Sequence, residues 1–473
     1  MKNIRIIPRL DVKGPNVVKG IHLEGLRVVG KPAELAKKYY DQGADEILYI
    51  DIVASLYERN NLSKVVKEAI SLGVFVPMTV GGGVRSLEDI QKLLNAGADK
   101  VAVNTAATRN PTLITEAAKR FGSQCVVGSI EAKKTSENKW EAYIDNGREK
   151  TGLDAVEWAK KLVSLGAGEL LITSVDKEGT EKGYDIELIK QISAAVSVPV
   201  IACGGAGNPQ DVAKCIKETT CDAISMASIL HYNKNKVQEI QQEVEKQKIS
   251  LRTNNDAIAS KNLFTINKTI SIIDYGVGNV MSVICAFQKV GCAVKIISTP
   301  EEIAQAESLV LPGVGAFGEG MKNLEKRNLI PAIKQHISKE KPLLGICLGA
   351  QLLMSESEEF GTHLGLDIIK GKVVGFKLPG FRVPHIMWNG IYSPNGKTWS
   401  GSILSEIHNT FKAYFIHSFY IVPEEKEVIL AQASYGNQEF CAVVKKGKVY
   451  GCQFHPEKSG EGGLQIIWNF AQL

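Results

Sequence analysis

The sequence predicts an α/β chain in two parts. A TIM-like (β/α)8 barrel made of two half-barrel repeats covers residues 1–243, a linker covers 244–269, and an open α/β domain covers 270–473. Three observations predict it. Eight β-branched runs alternate with amphipathic stretches up to about residue 235, that region repeats itself once, and a polar stretch then gives way to a second strand–helix series.

The eight runs are IRIIPRLDV, EILYIDIV, VFVPMTV, KVAVNTA, CVVGSI, ELLITSV, VPVIACG and AISMAS. Eight parallel strands separated by helices is the number that closes a barrel. VPMTVGGGVRSLED (76–89) returns as VPVIACGGAGNPQD (198–211), 122 residues later. Asp11 in RLDVK and Glu131 in SIEAK lie 120 apart; Glu46 in GADEILYID and Glu169 in GAGELLITS lie 123 apart. Three collinear matches report two copies of a four-strand unit. The stretch VEKQKISLRTNNDAIASKNLFTINKTI is polar with little periodicity, which reads as a linker or as a frayed helix followed by linker. From SIIDYGVGN onward, SIID, VMSVICAFQKVG, AVKIIS and ESLVLPG alternate strand with helix.

Composition narrows the class. A net charge of +5 over 473 residues is too dilute for nucleic-acid binding. No apolar run approaches the ~20 residues a bilayer demands. The opening MKNIRIIPRLDV is broken by Pro, Arg and Asp, unlike a signal peptide. Nine scattered cysteines without a CxxC suit free thiols in a reducing cytoplasm, so a cytoplasmic location is expected. No His/Cys cluster has ligand spacing, and neither a metal nor an organic cofactor is expected.

GICLGAQLL (345–353) raises the first chemical question. G-x-C-x-G between a strand and a helix is a nucleophile elbow with Cys347 in place of serine. The helix start favours the thiolate. The competing reading is a buried, inert cysteine between two turn glycines. GCQFHPEKSG then places His455 and Glu457 two apart at a strand end, where both side chains share one face. Such an imidazole could take the thiol proton while the carboxylate fixes its tautomer. LPGVGAF offers Gly313, Val314 and Gly315 as a turn whose amides could hold an oxyanion. His385 and His417, set among aromatics, read as core residues.

In a barrel, chemistry sits at the C-terminal strand ends. Asp11 and Glu131 end strands 1 and 5 and suit general acid/base work. Gly82 and Gly83 follow strand 3, Asn104 and Thr105 strand 4, Gly204 and Gly205 strand 7, Ala227 and Ser228 strand 8. One glycine pair alone would be a tight-turn requirement. Two pairs related by the repeat predict two phosphate sites, hence a substrate with a phosphate at each end.

GICLGAQLL and QFHPEKS resemble the class I, triad-type glutamine amidotransferases, and IDYGVGN, PGVGAF, VPHIMWN and YFIHSFY narrow the likeness to the glutaminase subunit of the imidazole glycerol phosphate synthase family. RIIPRLDVK, VGGGVRSLEDI, ADKVAVNTAA, EGT, GGAGN and ASILH resemble its cyclase subunit. The resemblance implies glutamine hydrolysis through a thioester at Cys347, with Leu348 and Gln351 helping to bind glutamine. It further implies ammonia passage along the barrel to a bis-phosphorylated ribotide, with Lys19 and Asp176 as substrate contacts. Arg5, Glu46, Lys100 and Glu169 would form a charged gate, and Asp99 with Lys458 an interface ion pair.

Departures from the pattern fall mainly at the reactive end. Glu131 stands where the synthase has Asp, Arg9 where it has a small Cys, and His22, Leu23, Glu24 and Gly25 where it has Asn-Phe-Glu-Asn. Ala350 and Met387 replace the usual Met and Gly. The changes in the barrel resemble a paralogous branch thought to supply ammonia to a separate sugar amidotransferase of surface-polysaccharide synthesis, with altered or lost cyclase activity. A glutaminase governed by a ligand-sensing, non-catalytic barrel is a third reading.

Overall fold

In the computed structural model, residues 3–54, 62–252, 266, 268–396, 398–408 and 410–473 are described. The chain divides into two compact units.

The first unit is a closed barrel of eight parallel strands: β1 (Arg5–Lys13), β2 (Ile47–Asp51), β3 (Met78–Gly81), β4 (Lys100–Val103), β5 (Val126–Ser136), β6 (Glu169–Ser174), β7 (Val200–Cys203) and β8 (Ala223–Met226). Each strand pairs with its sequence neighbours, and β8 returns to β1 with Arg5 opposite Ala223. Between strands run amphipathic helices. Ala155–Ser164 is representative: Ala155, Trp158, Ala159 and Leu162 face inward at helical spacing, and the Asp154 carboxylate caps the first turn from the Val156 and Glu157 amides.

Half-barrel repetition is visible in local geometry. Ser86 and Asn208, 122 residues apart, both cap the following helix by accepting an amide three residues on. Asn104 and Ala227 share an unusual backbone, with φ/ψ of −118/−84 and −133/−71, before short helices at the ends of β4 and β8. β1 and β5 both run on into antiparallel extensions, Asn16–Ile21 with Glu24–Gly30 and Lys139–Ile144 with Glu149–Asp154.

Residues 244–252, assigned above to the linker by their polarity, stay with the barrel. The helix Val237–Lys246 closes it, and Leu251, buried, bridges to Ile4. The remainder of the expected linker falls largely outside the described residues, at 253–265 and 267.

In the second unit a seven-stranded sheet runs in the order β10-β9-β11-β12-β15-β14-β13. Its strands are β9 (Thr269–Ile273), β10 (Ala293–Ile297), β11 (Leu309–Leu311), β12 (Leu343–Ile346), β13 (Ile429–Tyr435), β14 (Gln438–Lys446) and β15 (Val449–Cys452). The inner parallel strands β9, β11, β12 and β15 are buried and mostly apolar, as strands covered on both faces must be, while the edge strand β10 is largely exposed. Its core joins Ile273, Leu311, Leu343 and Val449 to helix residues such as Phe317, Leu324 and Leu352.

Candidate functional site

Three adjacent parallel strands assemble the constellation of the second unit: the Gly313 turn leaves β11, Cys347 leaves β12 and His455 follows β15. Cys347 sits at φ 49, ψ −105, a strained backbone for a residue with a Cβ. Its flanking glycines allow the turn. A Cβ on Gly349 would stand 1.8 Å from the Leu311 carbonyl oxygen, and one on Gly345 would stand 2.7 Å from that of Gly349. The Cys347 amide donates to the Cys452 carbonyl at 2.7 Å, tying the nucleophile's strand to the base's.

His455 Nδ1 donates to Glu457 Oε1 at 2.7 Å, and both side chains are buried. Burial works against the imidazolium, but the Glu457 carboxylate and the Cys347 sulfur outweigh it and raise the imidazole well above its ordinary value. Gln453 turns its amide toward the Cys347 sulfur at 3.9 Å. The amide of Leu348, a residue the resemblance places at the glutamine site, donates to the Gly313 carbonyl at 3.3 Å, so in this state that donor is engaged. Val314 and Gly315 continue the same turn before the helix Phe317–Lys326. Gln351 is buried and donates to the Phe419 carbonyl at 2.8 Å. Lys458 ends the turn Pro456–Lys458, its amide donating to the His455 carbonyl at 3.0 Å.

His385 and His417 are buried among Phe376, Phe415, Tyr435 and Phe440, as the core reading expects. Their hydrogen bonds define tautomers. The Phe419 carbonyl can only accept, so His417 Nδ1 donates to it at 2.8 Å. His417 Nε2 then accepts from His385 Nδ1 at 3.0 Å, and His385 Nε2 accepts the Asn389 amide at 3.3 Å. This chain of neutral groups ends on the carbonyl that also receives Gln351, a link the pattern of aromatics did not reveal.

The barrel interior is layered, because alternate residues of each strand point inward. At the N-terminal strand ends Arg5, Glu46, Lys100 and Glu169 close a four-membered ring of ion pairs. Arg5 to Glu46 and Lys100 to Glu46 are both 2.7 Å, Lys100 to Glu169 is 2.5 Å, and Arg5 to Glu169 completes it. All four are at most 1 % exposed. Burial would raise the Glu46 carboxyl, but Lys100 and Arg5 hold it low. Asp99, beside the ring, accepts the Met78 amide at 2.8 Å. Above the ring Ile7, Leu48, Ala102, Val127, Leu171, Ile201 and Ala223 cluster with Cys203. They come from seven strands and no helix, which only the lumen allows.

At the mouth the strands contribute charge. Arg9 Nε donates to Asp11 Oδ1 at 2.7 Å, while its Nη1 reaches Thr173 at 3.0 Å and the Cys203 sulfur at 3.3 Å. Lys19 donates to Asp11 Oδ2 at 3.1 Å and pairs with Glu178. Burial would raise Asp11, yet Arg9 and then Lys19 bring it down to about 2. Glu131 accepts the Gly147 amide at 2.7 Å, and burial pushes its carboxyl up to about 7. Asp176, expected among the substrate contacts, is exposed and accepts the Lys134 amide at 2.7 Å. Glu178, two residues on in the EGT motif and not singled out by the sequence, holds the buried position against Lys19.

Gly82 and Gly83 (φ 96 and 68) and Gly204 and Gly205 (φ 97 and 109) adopt left-handed turns at equivalent strand ends. A Cβ on Gly82 would meet the Asp51 carbonyl oxygen at 2.1 Å, and one on Gly204 that of Ser174 at 2.8 Å. Space is unequal. Gly82, Gly83, Asn104 and Thr105 line a cavity of about 290 Å³ shared with Ser129 and Glu131. The turns at Gly204, Gly205, Ala227 and Ser228 enclose only about 10 Å³. Over that second half, the tip of the first hairpin packs down: the His22 amide donates to the Glu178 carbonyl at 2.8 Å, and its ring to that of Val175 at 2.9 Å. No group of metal-ligating side chains and no helix long and apolar enough to cross a membrane occurs among the described residues.

Comparison with known proteins agrees with both halves. Residues 5–236 match the family model "Histidine biosynthesis protein", and residues 271–472 match "Glutamine amidotransferase class-I". The imidazole glycerol phosphate synthase subunit HisF of Legionella pneumophila is 62% identical over 211 residues, covering 45% of this chain and 99% of that protein. The proteins of the same name from Alkaliphilus metalliredigens (strain QYMF) and Bacillus cereus (strain G9842) are 48% and 49% identical over 248 residues, 52% of this chain and 98% of each relative. The barrel therefore belongs to the HisF family of imidazole glycerol phosphate synthase cyclase subunits, fused in one chain to a class-I glutamine amidotransferase domain.

Proposed function

We propose that this enzyme, of the imidazole glycerol phosphate synthase type, couples glutamine hydrolysis at Cys347 to ring formation at the barrel mouth. The observation that carries the reading is the buried His455–Glu457 pair at the strand end beside the Cys347 elbow. His455 takes the thiol proton and the sulfur attacks the glutamine carboxamide carbon. The same imidazole returns the proton to the departing ammonia, and water then cleaves the thioester to glutamate. An oxyanion at the Gly313 turn has to displace the Gly313 carbonyl from the Leu348 amide.

The ammonia passes the Arg5–Glu46–Lys100–Glu169 ring and the apolar lumen. At the mouth it converts phosphoribulosyl-formimino-aminoimidazole carboxamide ribotide to imidazole glycerol phosphate and aminoimidazole carboxamide ribotide, a step of histidine biosynthesis. One phosphate sits on the Gly82/Thr105 turns, where the cavity is open, and the other on the Gly204/Ser228 turns once the hairpin tip lifts. Asp99 and Lys458 serve docking of the two domains. The protein acts in the cytoplasm without a metal or organic cofactor. The comparisons give no support to supply of a sugar amidotransferase.

The test uses the full chain with the ribotide and either glutamine or an ammonium salt. Equal release of glutamate and aminoimidazole carboxamide ribotide from glutamine is expected, with ammonium replacing glutamine. Glutamate release with no ribotide product from either nitrogen source overturns the barrel half of the proposal.

A further inference from the structure

Asp11 and Glu131 descend from equivalent positions of the repeat, but their surroundings have diverged. Both oxygens of Asp11 are held by cations, Oδ1 by Arg9 at 2.7 Å and Oδ2 by Lys19 at 3.1 Å. Arg9 is itself fixed, with Thr173 and Cys203 taking its Nη1, and it is 2 % exposed. A guanidinium does not give up its proton in a protein, so Arg9 is a permanent charge. Asp11 does not line the open cavity; Glu131 does. Glu131 has one oxygen on the Gly147 amide and, among the described residues, no cation within 4.0 Å.

We propose that Arg9 is a positioning residue that locks Asp11 as a fixed anion, leaving Glu131 as the group that carries the proton at the barrel mouth. The groups around the pair are Arg9 on β1, Lys19 on the hairpin, Asp145 on the β5 extension, Glu178 and Thr173 from β6 and its loop, Cys203 on β7 and His231 after β8. Of these, only Arg9 stands between the two carboxyls' fates: it pairs with Asp11 and merely lowers Glu131 through space. Burial, the largest influence on Glu131, keeps it protonated up to about pH 7, where a donor is most useful. In the step, the Glu131 O–H bond breaks as its proton passes to a nitrogen or oxygen of the ligand; the resulting carboxylate regains a proton from water. What the proton is used for rests on the proposed ribotide chemistry. Which carboxyl holds it does not.

The experiment is infrared difference spectroscopy of the full-length chain between acid and alkaline pH, following the carbonyl stretch of protonated carboxyls. Wild type, Glu131→Gln, Glu131→Asp, Asp11→Asn and Arg9→Cys are compared, with glutaminase activity and circular dichroism confirming that each folds. Glu359 also titrates near pH 7, so the reading is the share of the neutral-pH carboxyl signal that Glu131→Gln removes, a share expected in wild type and in Asp11→Asn and kept by Glu131→Asp. Arg9→Cys should add a second titrating carboxyl at lower pH, and Asp11→Asn in that background should remove it. A neutral-pH signal that falls by one carboxyl in Asp11→Asn, or that is undiminished in Glu131→Gln relative to wild type, overturns the assignment. If the bands behave as expected but no variant turns over the ribotide, this assignment stands and the cyclase reading fails.

Discussion

Two pairs of side chains in this molecule share one geometry and differ in consequence. His455–Glu457 and Arg9–Asp11 each join a cation-forming group to a carboxylate two residues away at a strand end, each at 2.7 Å, each buried. Period-2 alternation puts Arg9 and Asp11 on one face of β1, whereas His455 and Glu457, expected to share a strand face, are brought together by the short turn Pro456–Lys458 that follows β15. The difference is whether the cationic partner can lose a proton. Imidazole can, so Glu457 tunes a base without abolishing its exchange. Guanidinium cannot, so Arg9 removes Asp11 from proton traffic. A strand-end pair is a proton relay or a fixed dipole according to one residue's chemistry.

The largest expected effect tests the relay. Cys347→Ala should lower glutamine hydrolysis by about 10⁴-fold or more, since the thioester route disappears. Ammonium-driven ribotide conversion should be unchanged, as a product assay with each nitrogen source would show. Glu457→Gln comes next, with about a 10³-fold loss in kcat for glutamine. Without the carboxylate, the cause that raises His455 is weakened, so the imidazole is neutral at lower pH. The acid limb of the pH–rate profile should therefore move down; a limb that stays in place breaks the comparison.

The ring at the barrel floor offers a third case, in which neither sign has a free proton role. Lys100→Ala leaves Glu46 and Glu169 with Arg5 as their shared cation. Removing one partner of a buried ion network typically costs about 3–5 kcal/mol. Chemical denaturation of the full chain should show a loss of that order in the barrel's transition, with the glutaminase transition in place.

How much of this was legible in the sequence depends on the range over which each signal acts. The eight strands and the elbow rest on local patterns, and strand alternation alone places Arg5, Ile7, Arg9 and Asp11 on one inward face. Gly345 and Gly349 were legible too, because close backbone approach leaves no room for a Cβ. Hairpins after β1 and β5 were not: NVVKGI and KWEAYI are short and polar-interrupted, and bulges break their register. The Lys19–Glu178 pair was equally hidden, since Glu178 is one of several loop carboxylates and only the tertiary position of Lys19 singles it out. Residues 244–252 read as linker because a barrel's closing segment need bury only one residue in several, here Val244 and Leu251.

The smallest effect isolates the fixed dipole's neighbour. Glu131 has an ordinary pKa of 4.5 and stands at about 7 when folded, so between those values the folded state holds a proton that the unfolded state has released. Stability contributed by this group is full below pH 4.5, falls as pH rises through the window, and is level above 7. Glu131→Gln removes the dependence. The variant should gain on wild type between pH 4.5 and 7, reaching on the order of 3 kcal/mol at alkaline pH. Asp45, pushed up to about 6, and Glu359, to about 7, titrate in the same window, but they are present in both chains and cancel in the difference. Asp11 works in the opposite sense and elsewhere. Lowered from 3.8 to about 2, it stabilises above 3.8 and loses that contribution as pH falls toward 2. The two carboxyls therefore act in windows that do not overlap, and denaturation midpoints of wild type, Glu131→Gln and Asp11→Asn across pH 2–9 resolve them. A Glu131→Gln gain that does not change with pH would mean folding leaves the Glu131 carboxyl at its ordinary value, and the contrast between the two carboxyls would vanish.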